Sequence, residues 1–256
     1  MAERFMKKAV TRCMVILMLL LTVVGVKRPE KIYAAGVSEA VTLKKDGSWV
    51  TQQVPEQTSE NFWYKVEIPS VGNLNIKVEN ALERGLKWNL YTEDLGKVAS
   101  NSYYYLAGGE TGRKTYALSP GRYYLNVYVD NREKSGKFKV SAAFAAFKGL
   151  EDQKAVSFVS PQVYTVGKTV RGAITHTEKE DWYRFSVSEE GEYTVNVVTE
   201  NIDVIDMIGG RPFEVNLNDS SNVRMSYSNY WPGDTLKITR KLTPGTYYIN
   251  IKIRLI

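Results

Sequence analysis

The stretch that decides the fold reads Glu-Asp-Trp-Tyr-Arg-Phe-Ser-Val-Ser-Glu-Glu-Gly-Glu-Tyr-Thr-Val-Asn-Val at residues 180–197, followed by Leu-Thr-Pro-Gly-Thr-Tyr-Tyr-Ile-Asn-Ile at residues 242–251. A looser copy of this text precedes both. It reads Asn-Phe-Trp-Tyr-Lys-Val-Glu-Ile-Pro-Ser-Val-Gly-Asn-Leu-Asn-Ile-Lys-Val at residues 61–78 and Leu-Ser-Pro-Gly-Arg-Tyr-Tyr-Leu-Asn-Val at residues 118–127. Apolar side chains recur at every second residue, which is the period of a half-buried β-strand. The sequence therefore predicts two similar units built from short strands.

The alternation divides each predicted strand into an inward and an outward row. Gly- and Pro-containing turns separate the strands, and a hairpin is expected at Ser135-Gly136. No stretch after residue 35 keeps a helical period for three turns. The sequence predicts an all-β protein with two tandem antiparallel, jelly-roll-like β-sandwich domains, at residues 36–147 and 148–256. The residues expected to face the two cores are Phe62, Tyr64, Val66, Ile68, Leu74, Ile76, Val78, Leu86, Trp88, Leu90, Tyr123, Leu125, Val127 and Val129, then Tyr183, Phe185, Val187, Tyr247, Ile249, Ile251 and Ile253.

Residues 1–35 have the pattern of a signal peptide. Basic residues precede an apolar run, and the small residues Ala34, Ala35 and Gly36 offer a cleavage site. The apolar run at residues 13–26 has 14 residues, whereas about 20 are needed to span a bilayer. We therefore expect a secreted protein, extracellular or at the cell surface, with no stable membrane insertion after cleavage.

The charge balance changes when the predicted signal peptide is set aside. Residues 1–35 hold seven of the 34 Lys and Arg residues and two of the 28 Asp and Glu residues, so 27 basic and 26 acidic residues remain. The formal net charge falls from +6 to +1. This removes the main support for nucleic-acid binding, and no nucleic-acid partner is expected.

Cysteine and histidine are almost absent. The only cysteine, Cys13, lies in the predicted signal peptide, so the exported part forms no disulfide and relies on its core. The only histidine, His176, excludes zinc sites built from His and Cys clusters. We expect His176 to lie in an exposed loop.

The two units differ at their ends. In the first unit, the Pro-Gly-x-Tyr-Tyr strand is followed by a closing strand at residues 136–144, whose counterpart would lie beyond residue 256. The second sandwich is therefore predicted to lack its last strand. Two interpretations stay open: a truncated gene, or an open sheet edge that pairs with another protein.

Further aromatic residues fall outside the paired motifs. Trp49 is expected to anchor the leading strands. The tyrosines at residues 103–105 and the cluster of Tyr227, Tyr230 and Trp231 are placed in long connections. Loops on rigid scaffolds often carry function, and simple solvation explains these clusters equally well.

The repeated motifs resemble those of the bacterial pre-peptidase C-terminal domain. The resemblance covers nearly all of the sequence after residue 35. It implies a jelly-roll-like sandwich of the kind appended to secreted enzymes, often peptidases, with some members that bind collagen or polysaccharide and some that bind calcium. The motifs are Asp181-Trp182-Tyr183-x-Phe185, Gly191 and Pro244-Gly245-x-Tyr247-Tyr248 in the second unit, and Phe62-Trp63-Tyr64-x-Val66, Gly72 and Pro120-Gly121-x-Tyr123-Tyr124 in the first.

The resemblance also implies a place for calcium. In calcium-binding relatives, acidic residues lie just before the Asp-x-Tyr strand and in the preceding linker. In this sequence the matching residues are Glu178 and Asp181, joined by Glu151 and Asp152 from the linker. Carboxylates three residues apart in a loop can share a hard cation that takes six to eight oxygens. The other interpretation is a solvated, acidic strand start.

The outward rows of the two Pro-Gly-x-Tyr-Tyr strands supply the candidate ligand-binding residues. Flat rings beside amide and hydroxyl groups suit a sugar or a peptide groove, because the apolar face and the polar edge are used together. In collagen-binding relatives, tyrosines of this strand region contribute to binding. The alternative is that strands favour tyrosine and cross-strand neighbours cover the rings. The candidates are Tyr124, Asn126, Tyr128, Tyr248, Asn250 and Lys252.

No catalytic arrangement stands out. Asp203 and Asp206 would have to form a glycosidase pair without any other supporting motif. A Ser-His-Asp triad built on His176 fails because the motif Gly-x-Ser-x-Gly is absent. Trp63 and Trp182 are expected to pack under a loop rather than bind a ligand. The protein is therefore expected not to be an enzyme.

The sequence predicts a secreted, non-catalytic module that binds an extracellular polymer, either a polysaccharide or a protein such as a collagen-like substrate. The alternative is an accessory or structural remnant of a larger secreted hydrolase with no ligand of its own. The missing strand favours that alternative. Calcium is the only candidate cofactor.

Overall fold

The computed structural model describes residues 36–98, 104–131, 135–150, 157–199, 213–231 and 233–253. The described residues form an all-β protein, with a single 3-10 turn at Val37–Glu39. No helix in this part of the protein is long and apolar enough to cross a membrane. The strands are β1 (Val41–Thr42), β2 (Asp46–Val54), β3 (Thr58–Ile68), β4 (Gly72–Asn80), β5 (Leu86–Thr92), β6 (Tyr104–Leu106), β7 (Thr111–Leu118), β8 (Gly121–Asn131), β9 (Gly136–Ala146), β10 (Gln162–Val163), β11 (Glu180–Val187), β12 (Gly191–Val198), β13 (Phe213–Asn218), β14 (Arg224–Tyr230), β15 (Thr235–Leu242) and β16 (Gly245–Ile253).

Strands β1 to β9 form the first sandwich. Its five-stranded sheet has the order β1-β3-β8-β5-β6 and its four-stranded sheet the order β2-β9-β4-β7. All neighbours are antiparallel except β1 and β3, which are parallel. The two sheets meet through their inward rows. For example, the Phe138 ring of β9 contacts the rings of Phe62 and Tyr64 of β3 edge to face, at 5.4 and 6.4 Å.

The inward rows predicted for the first unit are confirmed. Each of these residues, from Phe62 to Val129, has at most 3% of its surface exposed. The reason is the period of two, which places every second residue of a strand on the same face of the sheet. Complete burial of one such apolar residue contributes roughly 1.5–3 kcal/mol relative to exposure.

Strands β10 to β16 form the second sandwich. Its larger sheet has the order β10-β11-β16-β13-β14, and its smaller sheet consists of β12 and β15. The inward residues Tyr183, Phe185, Val187, Tyr247 and Ile249 are 4–8% exposed, as predicted. Ile251 and Ile253 are only partly buried and pack at the margin of the core.

The two sandwiches share the same strand register. Tyr64 of β3 faces Leu125 of β8, and after shifts of 119 and 124 residues Tyr183 of β11 faces Ile249 of β16. The pairing of β5 with β8 recurs between β13 and β16. Each residue of β13 corresponds to the residue of β5 that precedes it by 127 positions. The turn that follows agrees, because Leu95 and Asn222, also 127 residues apart, have positive φ angles of 63° and 61°.

Two strands of the first sandwich have no counterpart among the described residues of the second. They are β2 and β9, which lie side by side at one edge of the four-stranded sheet. Because β2 pairs only with β9, a second sandwich without a β9 counterpart also lacks the partner that a β2 counterpart would need. Residues 164–179, which follow β10 where β2 follows β1, accordingly form no strand. The sequence predicted one missing strand, and the described residues lack two.

Several local predictions are wrong. Ser135-Gly136 does not close a hairpin, because β8 and β9 belong to different sheets and the backbone passes from one sheet to the other. Trp49 is 44% exposed and so is not the buried anchor that was expected. Residues 101–113 are not one long connection, since β6 and the start of β7 lie within them and the Tyr104 ring packs on Trp88 at 5.2 Å.

The predicted connection at residues 227–231 is instead largely the strand β14, whose Tyr230 is 2% exposed. The predicted boundary between domains falls between β9 and β10, and the domain ranges stay a prediction. The predicted signal peptide lies outside the described residues.

Candidate binding faces

Three neighbouring strands of the first sandwich, β3, β8 and β5, turn one row of side chains each away from the core. We call this surface the first outer face. The register places Asn126 of β8 between Trp63 of β3 and Asn89 of β5. The Trp63 ring lies 5.5 Å from the Tyr91 ring of β5, so the two rings meet above β8. This contact covers both asparagines, because Asn126 is 2% and Asn89 3% exposed.

Asn126 is therefore buried, although the alternation predicts an accessible side chain at this position. It points away from the core as expected, but neighbouring rings bury it. The Oδ1 atom of Asn89 accepts a hydrogen bond from the Leu90 N–H at 2.9 Å. The buried Nδ2 groups of Asn126 and Asn89 have no acceptor among the described residues. A ligand group that displaced the Trp63 ring would find two unused donors there, and satisfying buried donors is favourable.

The accessible part of the first outer face consists of half-exposed tyrosines. Tyr124 lies between Lys65 and Tyr91 in the register. The Tyr128 hydroxyl is 3.0 Å from the Ser59 hydroxyl, which fixes the ring at the far end of β8. Sequence reasoning identified both tyrosines as candidates but missed Lys65 and Tyr91. The signal for those two was the same alternation, applied to the outward rows of β3 and β5 instead of β8 alone.

An ion-pair cluster closes one end of the first outer face. Arg122, near the start of β8, places its Nε 2.5 Å from Glu67 Oε1 and its Nη1 3.1 Å from Glu93 Oε1. The hydrogen bond from Arg122 to Glu67 raises the pKa of the guanidinium further. These side chains are 43–65% exposed, and exposed ion pairs contribute little to stability. These ion pairs therefore mainly hold the Arg122, Glu67 and Glu93 side chains in place at this end of the face.

The second sandwich repeats the row of Trp63 and its asparagines. We call the corresponding surface of β11, β16 and β13 the second outer face. Here Asn250 lies between Trp182 and Asn216, and both asparagines are again buried, at 2% and 5% exposure. The Nδ2 group of Asn216 donates to Asn250 Oδ1 at 3.3 Å. The same buried row in both halves indicates a structural role for these asparagines.

Carboxylates complete this row in the second sandwich only. The Asn250 Nδ2 group donates to Glu180 Oε2 at 3.1 Å, and the Asn216 Nδ2 group donates to Glu214 Oε1 at 2.9 Å. Lys252 Nζ lies 3.1 Å from Glu214 Oε1, and the Glu214 side chain is only 9% exposed. Asn250 and Lys252, both predicted as ligand-binding residues, are thus already engaged in an internal network.

Phe158 covers the centre of the second outer face. It belongs to the turn at residues 157–160, which precedes β10. Its ring lies 5.6 Å from Trp182 and 4.5 Å from Tyr248. Trp182 therefore packs under a loop as predicted, whereas Trp63 packs beside Tyr91 of a neighbouring strand. The two outer faces have the same strand register, but Phe158 restricts a ligand's access to the second one.

The calcium prediction finds only part of its ligand set in the described residues. Asp181 is 5% exposed and Glu178 half-buried, while Glu151 and Asp152 lie outside the described residues. The described part of the protein contains no group of three or more His, Cys, Asp or Glu side chains suited to a metal. Two carboxylates supply at most four of the six to eight oxygens that calcium takes. The described residues alone do not fit the ion, and the calcium site stays a prediction.

His176 does not lie in an exposed loop, so that prediction is wrong. Its ring packs edge to face against Tyr123 at 5.3 Å. Burial, with a smaller effect of the Lys179 charge, lowers the pKa of His176 to about 4. Burial likewise raises the pKa of Tyr123 to about 12. Asp203 and Asp206, considered above as a glycosidase pair, lie outside the described residues.

Comparison with known proteins relates the sequence to a bacterial collagenase. It is 28% identical over 211 residues to collagenase ColA of Clostridium perfringens (strain 13 / Type A), an alignment that covers 77% of this protein and 18% of the collagenase. It thus spans less than a fifth of the length of that relative. No protein-family model matches the sequence.

Solved structures that this protein matches in part include the pre-peptidase C-terminal domain of a Bacillus anthracis collagenase. That alignment has a TM-score of 0.32 and 23% identity, and covers 40% of this protein and 91% of the domain. The PBSX exported protein XepA aligns with a TM-score of 0.30 and 8% identity, over 81% of this protein and 87% of XepA. At these TM-scores no residue role is transferred from either structure. The protein is similar to a segment of a collagenase, and membership of each half in the pre-peptidase C-terminal family stays a prediction.

Proposed function

We propose that this protein is a non-catalytic module of the extracellular space that attaches to a protein polymer through its first outer face. The observation that carries the proposal is the surface formed by Trp63, Tyr91, Tyr124 and Tyr128 on three adjacent strands. Half-exposed aromatic rings on a rigid sheet supply contact area at little cost in side-chain entropy. Lys65 adds a cation within the same surface.

The shape of this surface suits an elongated ligand. Strands of up to 11 residues run side by side, β3 and β8 pairing from Thr58 to Ile68 without a register shift. A protein polymer offers side chains along its whole length that can pack against such rings.

Similarity to a collagenase makes collagen the first ligand to test. The segment of ColA that this protein resembles belongs to an enzyme named for its action on collagen. A binding module that holds such an enzyme on its substrate would use a rigid, non-catalytic surface of this kind. A polysaccharide remains the competing ligand class, because sugars also stack on tyrosine and tryptophan.

Retention of the purified full-length protein on insoluble polymers tests the proposal. We expect binding to fibrillar collagen and no retention on cellulose or chitin. Trp63→Ala and Tyr124→Ala should each weaken binding at least tenfold, as central aromatic anchors do. The matched control is Trp49→Ala, since Trp49 is 44% exposed on the opposite sheet, and it should change binding less than twofold.

Each of the following outcomes would contradict one part of the proposal. Retention on a polysaccharide but not on collagen would overturn the ligand class. Equal binding by the Trp63→Ala and Trp49→Ala variants would overturn the face. No retention on any polymer, with circular dichroism showing an intact fold, would favour an accessory or structural role without a ligand.

A further inference from the structure

A cleft of about 660 Å³ opens at one end of the second outer face. It lies where β11 and β16 reach the turn between β13 and β14, and the segment that follows β10 forms its opposite wall. At the corresponding end of the first outer face lies the ion-pair cluster of Arg122 with Glu67 and Glu93. The side chains that define the cleft are Val163, Val166, Arg184, Ser186, Ser220, Thr246 and Tyr248.

Three positions that are charged in the first sandwich carry small hydroxyl residues at this cleft. In the first sandwich, Glu67 of β3 lies opposite Arg122 of the neighbouring strand β8. Glu93, in the turn after β5, also pairs with Arg122. The shifts of 119, 124 and 127 residues that relate the two registers put a serine or threonine at each of these positions. The replacements, in the same order, are Ser186, Thr246 and Ser220.

The replacements leave a single charge among these four positions. In the first sandwich this end of the face holds the cations Lys65 and Arg122 and the carboxylates of Glu67 and Glu93, a sum of zero. In the second sandwich only Arg184, the counterpart of Lys65, keeps a charge. Arg184 is exposed, and the described residues give its guanidinium neither an ion pair nor a hydrogen bond. The Asp219 carboxylate, next to Ser220 in sequence, accepts hydrogen bonds from the Ser221 and Val223 N–H groups of its own turn.

The opposite wall of the cleft carries two exposed valines beside Tyr164 and Thr165. Val163 is 66% and Val166 46% exposed, and both line the space that Arg184 borders. Tyr248 forms the floor, but Phe158 already packs on its ring at 4.5 Å. The exposed apolar surface is thus branched and aliphatic, which suits an apolar side chain better than the flat face of a sugar.

We propose that this cleft is a second binding site, which takes a peptide carboxylate next to an apolar residue. The carboxylate pairs with Arg184, whose planar guanidinium matches a carboxylate in a bidentate geometry. The hydroxyl groups of Ser186 and Thr246 donate further hydrogen bonds. The apolar neighbour packs on Val163 and Val166. The carboxylate can come from an acidic residue or from the C-terminus of a peptide.

Titration of the isotope-labelled full-length protein with short peptides tests the site by NMR. The probes are acetyl-Gly-Leu-Glu-Gly-amide, its Gln analogue, and acetyl-Gly-Leu with a free C-terminal carboxylate. We expect the Glu peptide to shift the resonances of Arg184, Ser186 and Thr246 with about millimolar affinity. The Gln analogue and the Arg184→Gln variant should each bind at least tenfold more weakly. The free-acid peptide separates the two sources of carboxylate.

A second variant distinguishes a specific loss of peptide binding from general damage to the cleft. Ser186→Glu, Ser220→Glu and Thr246→Arg together install the ion-pair cluster of the first sandwich and should abolish peptide binding without lowering the melting temperature. Equal binding of the Glu and Gln peptides, or no binding at roughly tenfold the expected dissociation constant, would overturn the proposal. Tighter binding of glucuronic acid than of the Glu peptide would instead assign the cleft to acidic sugars.

The proposals for the cleft and for the first outer face can be refuted independently of each other. The Arg184→Gln variant should keep its retention on collagen if only the first outer face holds the polymer. Loss of retention in Trp63→Ala with unchanged peptide titration would support both sites as independent. If the unsubstituted protein is retained on collagen but binds none of the peptides, the cleft proposal is overturned and the proposed function stays intact.

Discussion

The imidazole ring of His176 lies against the phenol ring of Tyr123, with centroids 5.3 Å apart and planes at 70°. His176 precedes β11 of the second sandwich, whereas Tyr123 belongs to β8 of the first, so the contact joins the two. Hydroxyl groups reinforce it, since Ser119 Oγ lies 2.8 Å from Thr175 Oγ1 and 2.7 Å from Thr177 Oγ1. Both ring nitrogens of His176 are buried without a partner in the described part of the protein.

This contact predicts a loss of stability in mild acid. Burial lowers the pKa of His176 to about 4 in the folded protein, whereas an unfolded histidine titrates near about 6.5. Between these values the unfolded state binds more protons, so the free energy of unfolding falls as the pH falls from about 6.5 to about 4. Denaturant unfolding across this window should show a shallower pH dependence for His176→Asn than for the unsubstituted protein.

The single histidine makes this prediction easy to check. Its ring protons give one set of NMR resonances, and we expect their titration midpoint near pH 4, the value that burial gives the folded imidazole. A midpoint near about pH 6.5, typical of a solvated histidine, would show that the contact with Tyr123 does not form in solution.

A matched pair of glycines tests the difference between the two sandwiches. A Cβ atom on Gly72 would lie 2.4 Å from the Ala145 carbonyl oxygen and 2.8 Å from the Ala146 Cα, both in β9. A Cβ atom on Gly191, the counterpart in β12, would meet only the Tyr193 ring at 3.7 Å. Gly72→Ala should therefore lower the free energy of unfolding by about 2–4 kcal/mol, and Gly191→Ala by less than about 0.5 kcal/mol. Equal losses, measured by urea unfolding, would mean that a strand also covers Gly191.

The buried asparagine of the second outer face should be important for stability. Asn250 donates to Glu180 and accepts from Asn216, and it is 2% exposed. Asn250→Ala removes a donor from the half-buried Glu180 carboxylate and one of the two acceptors of the buried Asn216 amide, which costs about 1–3 kcal/mol. Asn196→Ala, at an exposed position of β12, is the control and should change the free energy of unfolding by less than about 0.5 kcal/mol. A similar effect of both substitutions would contradict the network.

Asn80 is expected to fix the short connection between β4 and β5. Its Nδ2 group donates to the carbonyl oxygens of Arg84, Leu106 and Ala107 at 2.8–3.2 Å, and its Oδ1 accepts the Leu82 N–H at 3.0 Å. Asn80→Ala should cost about 2–4 kcal/mol because several buried backbone groups lose their partner together. Asn80→Asp keeps the shape and the acceptor but removes the donors, so it should also be destabilising. An unaltered urea midpoint in both variants would show that water replaces the asparagine amide.

The inward rows were predictable because burial follows a fixed period. Phe62, Tyr64 and Val66 occupy every second position of β3, and no other arrangement of that strand hides all three. The same period assigned Asn126 correctly to the outward row. It gave no information on what lies above the sheet, so the covering of Asn126 by Trp63 and Tyr91 could not be foreseen.

Pairing between strands was less accessible to sequence reasoning. The turn at Ser135-Gly136 is short and contains glycine, which is typical of a hairpin. The backbone instead passes from one sheet to the other, because β9 finds its partners in β2 and β4. Local turn chemistry does not distinguish the two cases. The contact of His176 with Tyr123 was hidden for the same reason, since it depends on how distant segments come together.

The absence of counterparts of β2 and β9 from the described second sandwich has a consequence for unfolding. In the first sandwich these strands bury Val54, Phe138, Val140 and Ala142 completely or almost so. In the second sandwich the matching apolar row of β12, Tyr193, Val195 and Val197, remains only half-buried. Less apolar surface is removed from water there, so that half should have the lower intrinsic stability. Heating is therefore expected to melt the protein in two calorimetric steps, the second sandwich first, with cooperativity confined to each half.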